Sequence, residues 1–523
     1  MRNNKYQSSI PTVIDLFCGC GGFSLGFERA GFQIVAALDS DPHAIETYKK
    51  NRPEMAEHSI IHGDLTQLSP ETFARQIGVE RVDVILGGPP CQGFSSVRQV
   101  DGANSGERMV HDPRRDLYQD YFRYISFFQP KFFVMENVIG MRTMNKGQWW
   151  TKIRSEARKF GYRLCPTEFM ASDYGVPQNR RRLLIIGTRR DHHVSFKRSC
   201  LVPTQIENKR TLWEAIGDLP ELKSGEGVSP TVYDMERRRK HIEKFGEGYL
   251  HGVLEVSKVE MLTGHIARPH SERDLRDFAR LKEGENSSGA MRRGVQLEFP
   301  YNKEIFKDRY TRLDRHRPCK TILAHLAKDG LMFIHPKQPR SLTVREAARI
   351  QSFPDWFMFP DARTHAFRLI GNAVPPLVGF AVGKALLPLL KKNGGRKKCV
   401  LPKDRAQAWE YLSLVLNGNA GSGISTIDDL LFLKIWNACF YLMPGLHPDE
   451  ALDHGTETAD NSEGENDLTT KELSTYYVRS GWPVALKPLA EDAWKRFEEQ
   501  RITEEQFYCL DAIVAMLHSV HED

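Results

Sequence analysis

Residues 12–39 read TVIDLFCGCGGFSLGFERAGFQIVAALD. The apolar run 12–17 predicts a short buried strand, and the glycines after it interrupt that strand. The residues that follow the glycines predict a helix ending at Gly31, and 33–39 predicts a second strand. A strand, a helix and a strand in this order are typical of a βαβ unit, in which both strands lie parallel in one sheet.

The same alternation continues beyond this stretch. Helices are predicted over 42–50 and within 114–128. Further strands are predicted at 59–64, 82–88, 131–137 and 182–191. The pattern predicts an α/β fold with a mostly parallel sheet that helices cover on both faces. Such sheets bind ligands at the carboxyl ends of their strands. The polar or reactive residues at or just after these ends are Asp39, Asp64, Pro89, Cys91 and Glu136.

The regular pattern weakens after residue 191. Residues 192–339 are predicted to form a separate, less regular region. Its basic clusters are ERRRK (236–240), MRRG (291–294) and TRLDRHRPCK (311–320). Regular structure returns over 340–392, with a helix from about Val344 and a second helix over 371–392. The extension that follows, 393–523, is predicted to be acidic and mainly helical, with a flexible linker near 454–467.

Charge is distributed unevenly along the 523 residues. Residues 401–523 hold 9 Lys and Arg against 22 Asp and Glu, which leaves 64 against 45 in residues 1–400. A strongly basic body predicts a polyanionic partner, most simply nucleic acid. On composition alone, a solvated surface that keeps the protein in solution explains the charge equally well.

Composition argues against several classes of protein. No run reaches the ~18 apolar residues of a membrane span, and the first residues, MRNNKYQSSIPTV, lack the apolar core of a secretory signal. The nine cysteines are scattered and odd in number, which favours free thiols over a disulfide framework. Cys18 and Cys20 have no further ligands at zinc spacing, so no metal site is predicted. We therefore expect a soluble, cytoplasmic protein.

The segment DLFCGCGGFSLG (15–26) places a glycine-rich turn between the first strand and its helix. Backbone can approach a ligand there, and the N–H groups of the helix point at it. The turn is neither the dinucleotide GxGxxG nor a P-loop, because the Lys-Ser/Thr pair is missing. Asp39 is placed to accept hydrogen bonds from ribose hydroxyls, and Asp64 from an adenine amino group. Together these features predict an adenosine-containing cofactor without a triphosphate, and S-adenosylmethionine fits best.

The stretch GGPPCQGFS (87–95) raises the question whether Cys91 is a nucleophile or a small apolar residue in a loop. Two prolines stiffen the approach to Cys91, and Gln92 and Gly93 allow a tight turn behind it. Glu136 ends an apolar strand, where a carboxyl group is costly unless it is paired or protonated. A thiol that reacts as the thiolate, beside a carboxyl group at a neighbouring strand end, could serve as nucleophile and general acid.

The run QNRRR (178–182) precedes the apolar strand LLIIG. If strand geometry begins there, Arg180 and Arg182 project to one side of the sheet and Arg181 to the other. One pair can then serve a site while the third arginine stays on the surface. Taken alone, the run is more simply explained as a solvated basic segment.

These blocks, in this order, resemble the DNA (cytosine-5) methyltransferases of bacterial restriction–modification systems. The motifs that carry the resemblance are DLFCGCGGFSLG (15–26), Asp39, GDL (63–65), GGPPCQGFS (87–95), MENV (135–138), YGVPQNRRR (174–182), RSLTVREAARIQSFPD (340–355) and GNAVPP (371–376). The resemblance implies a Rossmann-like, S-adenosylmethionine-dependent methyltransferase fold. Residues 1–191 and 340–392 are then the catalytic domain and 192–339 the target-recognition domain, while 393–523 has no counterpart in the minimal family form.

The resemblance also implies roles for individual residues. Cys91 adds to C6 of a cytosine that is flipped out of the duplex. Glu136 hydrogen-bonds the ring at N3 and the amino group, and Arg182, with Arg180 nearby, grips the base oxygen. The residues at cofactor-pocket positions are Phe17, Gly19, Gly21, Gly22, Asp39, Asp64, Leu65, Pro89, Leu117, Asn372 and Ala373. The helix from 372 is expected to pack beside the first strand and complete that pocket. The residues expected to face DNA are Gln92, Ser95, Gln178 and Thr321.

The partners implied are double-stranded DNA and a cognate restriction endonuclease, with the protein itself a monomer. The sequence departs from the family pattern at Asp39, where many members have Glu, at Ser40, where an aromatic residue often stacks on adenine, and at Ala373, where Ser is frequent. Two alternatives stay open: a transfer-RNA cytosine-5 methyltransferase, which shares PPC and ENV, and a non-catalytic DNA-binding regulator. The acidic extension is either a partner-binding or autoinhibitory module or a passive appendage.

Overall fold

The computed structural model describes the part of the chain that surrounds the predicted site. The described residues are 10–89, 117–143, 147–190, 192, 196–203, 209–299 and 309–391. Cys91, Gln92 and Ser95 lie outside them, as does the extension 393–523. A division of the chain by its internal contacts falls between Gly394 and Gly395.

Strands and helices alternate through the first part of the described chain. The strands are β1 (Thr12–Leu16), β2 (Gln33–Asp39), β3 (Ile60–His62), β4 (Val84–Gly87), β5 (Phe132–Asn137), β6 (Tyr162–Met170), β7 (Gln178–Asn179), β8 (Arg181–Arg189), β9 (Thr231–Val232), β10 (Met261–Leu262) and β11 (Cys319–Lys320). The α-helices are α1 (Gly22–Ala30), α2 (Pro42–Lys50), α3 (Pro70–Ile77), α4 (Leu117–Phe128), α5 (Gly140–Thr143), α6 (Gln148–Lys159), α7 (Leu212–Ile216), α8 (Met235–Phe245), α9 (Glu272–Arg280), α10 (Ser287–Arg292), α11 (Val344–Ile350), α12 (Arg363–Asn372) and α13 (Pro376–Lys391). Short 3-10 turns lie at Glu57–Ser59, Ala171–Tyr174, Arg198–Cys200, Val256–Lys258 and Ala324–Ala327.

A seven-stranded sheet in the order β3-β2-β1-β4-β5-β8-β6 forms the centre of the fold. Strands β1 to β5 pair in parallel, whereas β8 is antiparallel to both β5 and β6. The predicted α/β fold with a mostly parallel sheet is therefore confirmed. The chain runs outward from β1 to β3 on one side and from β4 to β5 on the other. The strand order thus reverses between β1 and β4, which is where such sheets bind ligands.

The contact between α1 and α13 joins two segments far apart in the sequence. A Cβ on Gly26 of α1 would lie 2.4 Å from the Pro376 carbonyl oxygen and 2.5 Å from the Phe380 nitrogen. On the facing helix, a Cβ on Gly379 would lie 2.8 Å from the Phe23 carbonyl oxygen. Because only glycine leaves room for backbones this close, these residues let α13 lie directly against the helix that follows β1.

The C-terminal helix differs from its prediction in extent and in packing. A single helix was predicted over 371–392, with the start at 372 beside β1. Instead α12 ends at Asn372 and α13 begins at Pro376, because Pro375 has no N–H to continue a helix and restricts the residue before it. The backbone contact of α13 is with α1, although Val378 shares a buried cluster with Val13 of β1.

One stretch of the described residues, Arg363–Leu390, is long and apolar enough to cross a membrane by length and composition alone. This stretch is divided between α12 and α13, and half of its most apolar window is buried inside the protein. Core helices of a folded domain pass the same test, so the finding is weak evidence for a membrane span.

The region 192–339 is only partly separate from the rest of the described chain. Leu212, Leu250 and Leu262 belong to the same buried cluster as Ile350 of α11 and Phe367 of α12. A second, smaller core is built from Phe278, Leu281, Ala290, Leu297, Phe299, Tyr310, Leu331 and Ile334. The first part of the region therefore shares a core with α11 and α12, and its assignment as a separate domain stays a prediction.

Buried arginines fix this shared core in place. Arg349 donates to Asp218 from the region 192–339 and to Asp355 after α11, each at 2.5 Å. Arg340 makes two hydrogen bonds to Glu346, at 2.7 and 2.9 Å. All of these side chains are buried, and a buried charge is tolerated only when it is paired and hydrogen-bonded. Their contacts therefore specify one arrangement of the region against α11.

We expect Gly26→Ala to lower the free energy of unfolding by about 1–3 kcal/mol or more, because the added Cβ meets backbone that cannot turn aside. Urea denaturation would measure the loss. Gly248→Ala is the matched control, since a Cβ there would meet only the end of the Arg210 side chain, at 3.7 Å. Wild-type stability in the Gly26 variant would contradict the close backbone contact between α1 and α13.

Candidate functional site

A cavity of about 820 Å³ opens at the carboxyl ends of the parallel strands. Every predicted cofactor-pocket residue except Gly21 lines it: Phe17, Gly19, Gly22, Asp39, Asp64, Leu65, Pro89, Leu117, Asn372 and Ala373. Glu136, Arg180 and Arg182 line the same cavity. The predicted cofactor pocket and the predicted catalytic side chains are thus continuous in space.

The glycine-rich turn after β1 is held in an unusual backbone conformation. Phe17 has φ 57°, Gly19 has φ 55° and Gly21 has φ 87°. For Phe17 this left-handed conformation costs on the order of 1–3 kcal/mol. Asp39 stabilises the turn, because its Oδ2 accepts from the Gly19 nitrogen at 2.8 Å and its Oδ1 from the Asp41 nitrogen at 2.9 Å. Burial raises the pKa of Asp39, and these N–H donors oppose that rise.

Gly21 lies between two cavity-lining glycines but does not itself line the cavity, and its part in cofactor binding stays a prediction. Its carbonyl oxygen accepts from Arg52 Nη2 at 3.0 Å. A Cβ on Gly21 would lie 2.6 Å from both the Tyr48 ring and the Arg52 guanidinium. Gly21 therefore allows the turn to pack on the residues beneath it and has no direct part in the cavity.

A buried polar network lies under the turn. Ser24 Oγ donates to Asp15 Oδ2 at 2.5 Å, and the Tyr48 hydroxyl donates to Ser24 Oγ at 2.8 Å. The Arg52 guanidinium stacks 4.1 Å from the centre of the Tyr48 ring and pairs with Glu28 at 2.8 Å. Burial raises the pKa of Asp15 to about 7, although the Ser24 hydrogen bond opposes the rise. Sequence reasoning missed this network because it treated Asp15 only as part of a motif.

Glu136 at the end of β5 meets Arg182 at the start of β8. Arg182 Nε lies 3.2 Å from Glu136 Oε1, and the two side chains are only 15% and 12% exposed. Within the described residues, Glu136 Oε1 is buried and accepts no hydrogen bond, so its contact with Arg182 is an ion pair only. Next to it, Asn137 Nδ2 donates to the Pro89 carbonyl oxygen at 3.0 Å. This bond ties the end of β5 to the segment that leads into Cys91.

The three consecutive arginines divide as the strand geometry predicts. Arg180 and Arg182 line the cavity, whereas Arg181 points away, is 62% exposed and pairs with Glu168 at 2.6 Å. Arg180 is buried, and its Nη1 donates to the carbonyl oxygens of Ile322 at 3.1 Å and Gly371 at 3.2 Å. These backbone contacts give Arg180 a supporting role beside Arg182.

Two residues expected to face DNA have different surroundings. Gln178 is fully buried: its Nε2 donates to Gln351 Oε1 at 2.9 Å and its Oε1 accepts from the Ile322 nitrogen at 2.8 Å. The predicted DNA contact of Gln178 is therefore wrong for this arrangement, because its amide is enclosed and already bonded. Thr321 is half-buried and donates to the Asn179 carbonyl oxygen at 2.8 Å, and its contact with DNA stays a prediction.

The rim of the cavity carries residues that no motif indicated. His325 and Arg368 line it, and Arg368 Nη2 lies 2.8 Å from Asp41 Oδ2. Beside this ion pair, the rings of His43 and His365 lie with their centres 3.6 Å apart. Together these contacts join α2 to α12 across the end of β2. No sequence signal could have shown them, because they depend on two distant helices meeting.

Much of the positive charge of the region 192–339 is already paired. Arg238 is buried with its Nε 3.3 Å from Asp218 Oδ2, and Arg237 Nη1 lies 2.8 Å from Glu221 Oε1. The rest of the cluster ERRRK (236–240) forms helical pairs, Arg239 with Glu243 and Lys240 with Glu236. This cluster therefore does not present a set of free cations to a phosphate backbone.

The two cysteines of the glycine-rich turn are unsuited to act as nucleophiles. Burial raises the pKa of both thiols, that of Cys18 well above its ordinary value and that of Cys20 to about 12. Both thiols therefore stay protonated at neutral pH. In the part of the chain that the structure describes, no group of three or more His, Cys, Asp or Glu side chains is placed to hold a metal ion.

Comparison with known proteins gives consistent matches. Residues 11–387 match the family model described as C-5 cytosine-specific DNA methylase. The chain is 37% identical over 392 residues to the type II methyltransferase M.DdeI of Desulfomicrobium norvegicum, covering 72% of this chain and 88% of that protein. It is 33% identical over 378 residues to M1.HphI of Haemophilus parahaemolyticus, covering 72% and 87%. A solved Escherichia coli structure, described as a prophage DNA modification methyltransferase, has a TM-score of 0.58 at 30% identity, covering 73% of this chain and 99% of that one.

We expect the network under the turn to make stability depend on pH. In the folded protein the pKa of Asp15 is raised from 3.8 to about 7. Its contribution to the free energy of unfolding is therefore full below pH 4. That contribution is lost as pH rises towards 7, by roughly 1.4 kcal/mol per pH unit. Asp15→Asn, which cannot ionise, should lack this fall. Urea denaturation of both proteins between pH 5 and 8 measures it.

Ser24→Ala serves as the control, since it removes the hydrogen bond that holds the pKa of Asp15 down. In that variant the decrease in the free energy of unfolding should continue to a higher pH than in wild type. The same pH dependence in wild type and in Asp15→Asn would show that Asp15 is not the titrating group.

Proposed function

Because the chain belongs to the C-5 cytosine-specific DNA methylase family, we propose that it transfers a methyl group from S-adenosylmethionine to C5 of a cytosine flipped out of duplex DNA, with Cys91 as the nucleophile. DNA cytosine-5 methyltransferase activity follows from the family, and the resemblance drawn from the motifs is confirmed. The methyl donor, the covalent step and the residue roles are the proposal.

The observation that carries the proposal is the buried carboxylate oxygen of Glu136. Its Oε1 is buried, lies beside Arg182 and has no hydrogen bond within the described residues. A buried carboxylate oxygen without such a partner is costly unless a ligand supplies one. A cytosine supplies the amino group as a donor, and N3 as a second donor once it is protonated. The Arg182 guanidinium offers N–H groups to the base oxygen.

The cavity fits an adenosine-containing cofactor. One carboxylate oxygen of Asp39 holds the turn at Gly19 and the other accepts from the Asp41 nitrogen, but each oxygen retains a lone pair that can accept from a ribose hydroxyl. A Cβ on Gly19 would meet no atom within 4 Å, so the turn leaves open space there. No Lys-Ser/Thr pair follows the turn to bind a triphosphate. These residues would hold S-adenosylmethionine, which supplies an electrophilic methyl group.

The residues of the chain act on the base in a defined order. The Cys91 thiolate adds to C6, which breaks the C5–C6 double bond and places electron density on C5. Glu136 holds the proton that N3 gains, and so stabilises the adduct. After C5 has taken the methyl group, a base removes the C5 proton. The C5–C6 double bond then reforms, and the Cys91 thiolate leaves C6 as N3 returns its proton.

The names of the relatives, which are type II methyltransferases, support a proposed biological setting. The proposed role is methylation of a specific duplex sequence, which protects DNA from a partner restriction endonuclease. We propose that the protein does this in the cytoplasm as a monomer. The family match ends at residue 387, before the acidic extension.

The nucleophile is tested with duplex DNA that carries 5-fluorocytosine. Fluorine cannot leave C5 as a proton does, so we expect a covalent protein–DNA adduct on a denaturing gel, and none with Cys91→Ser. Cys165→Ser is the matched control, since Cys165 lies on β6 outside the cavity and its variant should trap DNA as wild type does.

Other outcomes of this experiment decide between the alternatives. An adduct on fluorinated transfer RNA but not on DNA would move the protein to the RNA-methylating branch. No adduct on either polymer, with cofactor still bound, would favour a non-catalytic regulator and contradict the proposal.

Glu136→Gln tests the carboxylate, because the amide has nearly the same volume but cannot hold the proton on N3. We expect methyl transfer to duplex DNA to slow by about 10²–10⁴-fold. S-adenosylmethionine affinity should stay within about twofold of wild type, since the change adds no group to the pocket. Glu168→Gln is the control, as this residue pairs with Arg181 away from the cavity. A Glu136→Gln rate close to that of wild type would remove Glu136 from the mechanism.

A further inference from the structure

Two buried glutamines connect the strand that carries Arg182 to a wall of the cofactor pocket. Gln178 lies in β7, just before β8, and Gln351 follows α11; both are fully buried. Gln178 Nε2 donates to Gln351 Oε1 at 2.9 Å, and Gln351 Nε2 donates to the Ile370 carbonyl oxygen at 2.7 Å. Ile370 lies in the last turn of α12, directly before the cavity-lining Gly371.

The same residues also hold the end of the region 192–339, which under the proposed function is the recognition region. The Ile322 nitrogen donates to Gln178 Oε1 at 2.8 Å, while the Ile322 carbonyl oxygen accepts from Arg180 Nη1 at 3.1 Å. Arg180 Nη1 also donates to the Gly371 carbonyl oxygen at 3.2 Å. A Cβ on Gly371 would lie 2.3 Å from the Ala324 nitrogen, so the pocket wall and the segment after Ile322 are in backbone contact.

We propose that the Gln178–Gln351 pair, with Arg180, is a positioning joint that couples occupancy of the cofactor pocket to the placement of Arg182 and of the recognition region. The glutamines are enclosed and touch neither the cavity nor its contents. Each side-chain amide uses both its oxygen and its nitrogen within the joint. Breaking one of these buried bonds costs about 1–3 kcal/mol, so the three segments move together and a shift of one is transmitted to the other two.

The joint has a measurable consequence for binding. A cofactor that fixes the wall at Gly371 also fixes, through Gln351 and Gln178, the strand of Arg182 and the end of the recognition region at Ile322. The cofactor therefore tightens DNA binding, and DNA tightens cofactor binding by the same factor. This inference rests on the proposed function, because it takes S-adenosylmethionine as the occupant of the pocket.

The test measures the affinity of a duplex fragment, chosen because wild type methylates it, with and without saturating S-adenosylhomocysteine. The ratio of the two dissociation constants is the coupling factor, which we expect to be on the order of 5–150 for wild type. In Gln351→Met and in Gln178→Met the ratio should fall to about 1–3, while each ligand alone binds within about threefold of wild type.

Tyr249→Phe is the matched control. It removes one equally buried hydrogen bond, from the Tyr249 hydroxyl to the Arg349 carbonyl oxygen at 2.6 Å, which lies in α11 but off the path between Gln178 and Ile370. Its coupling factor should equal that of wild type. If a methionine variant fails to fold, Gln351→Asn shortens the side chain by one methylene but keeps the amide, and it should show the same loss of coupling.

Two results would overturn the inference: a wild-type coupling factor near 1, or glutamine variants that keep the wild-type factor. Lower stability in the glutamine variants with an unchanged factor would show that these bonds only support the fold. Failure of wild type to methylate any duplex would instead contradict the proposed function, so the two failures are distinct.

Discussion

The site depends on the backbone contact between α1 and α13. Gly26 and Gly379 let these helices approach until backbone meets backbone, and this contact returns the end of the described chain to the turn after β1. A Cβ on Gly22 would lie 2.4 Å from the Val374 carbonyl oxygen, so the segment of Asn372 and Ala373 is held beside the turn. The cofactor pocket is therefore built from two distant parts of the sequence, and it exists only when both are packed.

Buried polar groups give this packing its specificity. Arg349 is enclosed between Asp218 and Asp355, and the pair of Gln178 and Gln351 is equally enclosed. Replacing such groups by apolar ones often costs little stability, but leaving one unpaired is expensive. They therefore select one arrangement of the region 192–339 against the central sheet.

The sequence predicted the parts of the fold that local pattern controls. Strand β2 and helix α2 have the predicted bounds, and Asp39 and Glu136 lie at strand ends around one cavity, because periodicity and turn residues act over short distances. It missed contacts between distant segments, such as the ion pair of Arg368 with Asp41. The motif around Gln178 suggested DNA, whereas burial gave it a structural role. A local sequence pattern predicts the strand or helix on which a side chain lies, but not which distant residues pack against it.

Under the proposed function, one cavity holds the cofactor at the turn after β1 and the target cytosine between Glu136 and Arg182. A crystal structure with S-adenosylhomocysteine and a 5-fluorocytosine duplex would test this arrangement directly. We expect the base outside the helix stack, with its N3 and amino group within hydrogen-bond distance of Glu136 and its oxygen within reach of Arg182. A cytosine that stays stacked, or a base bound away from Glu136 while the cofactor lies elsewhere than at Asp39, would contradict it.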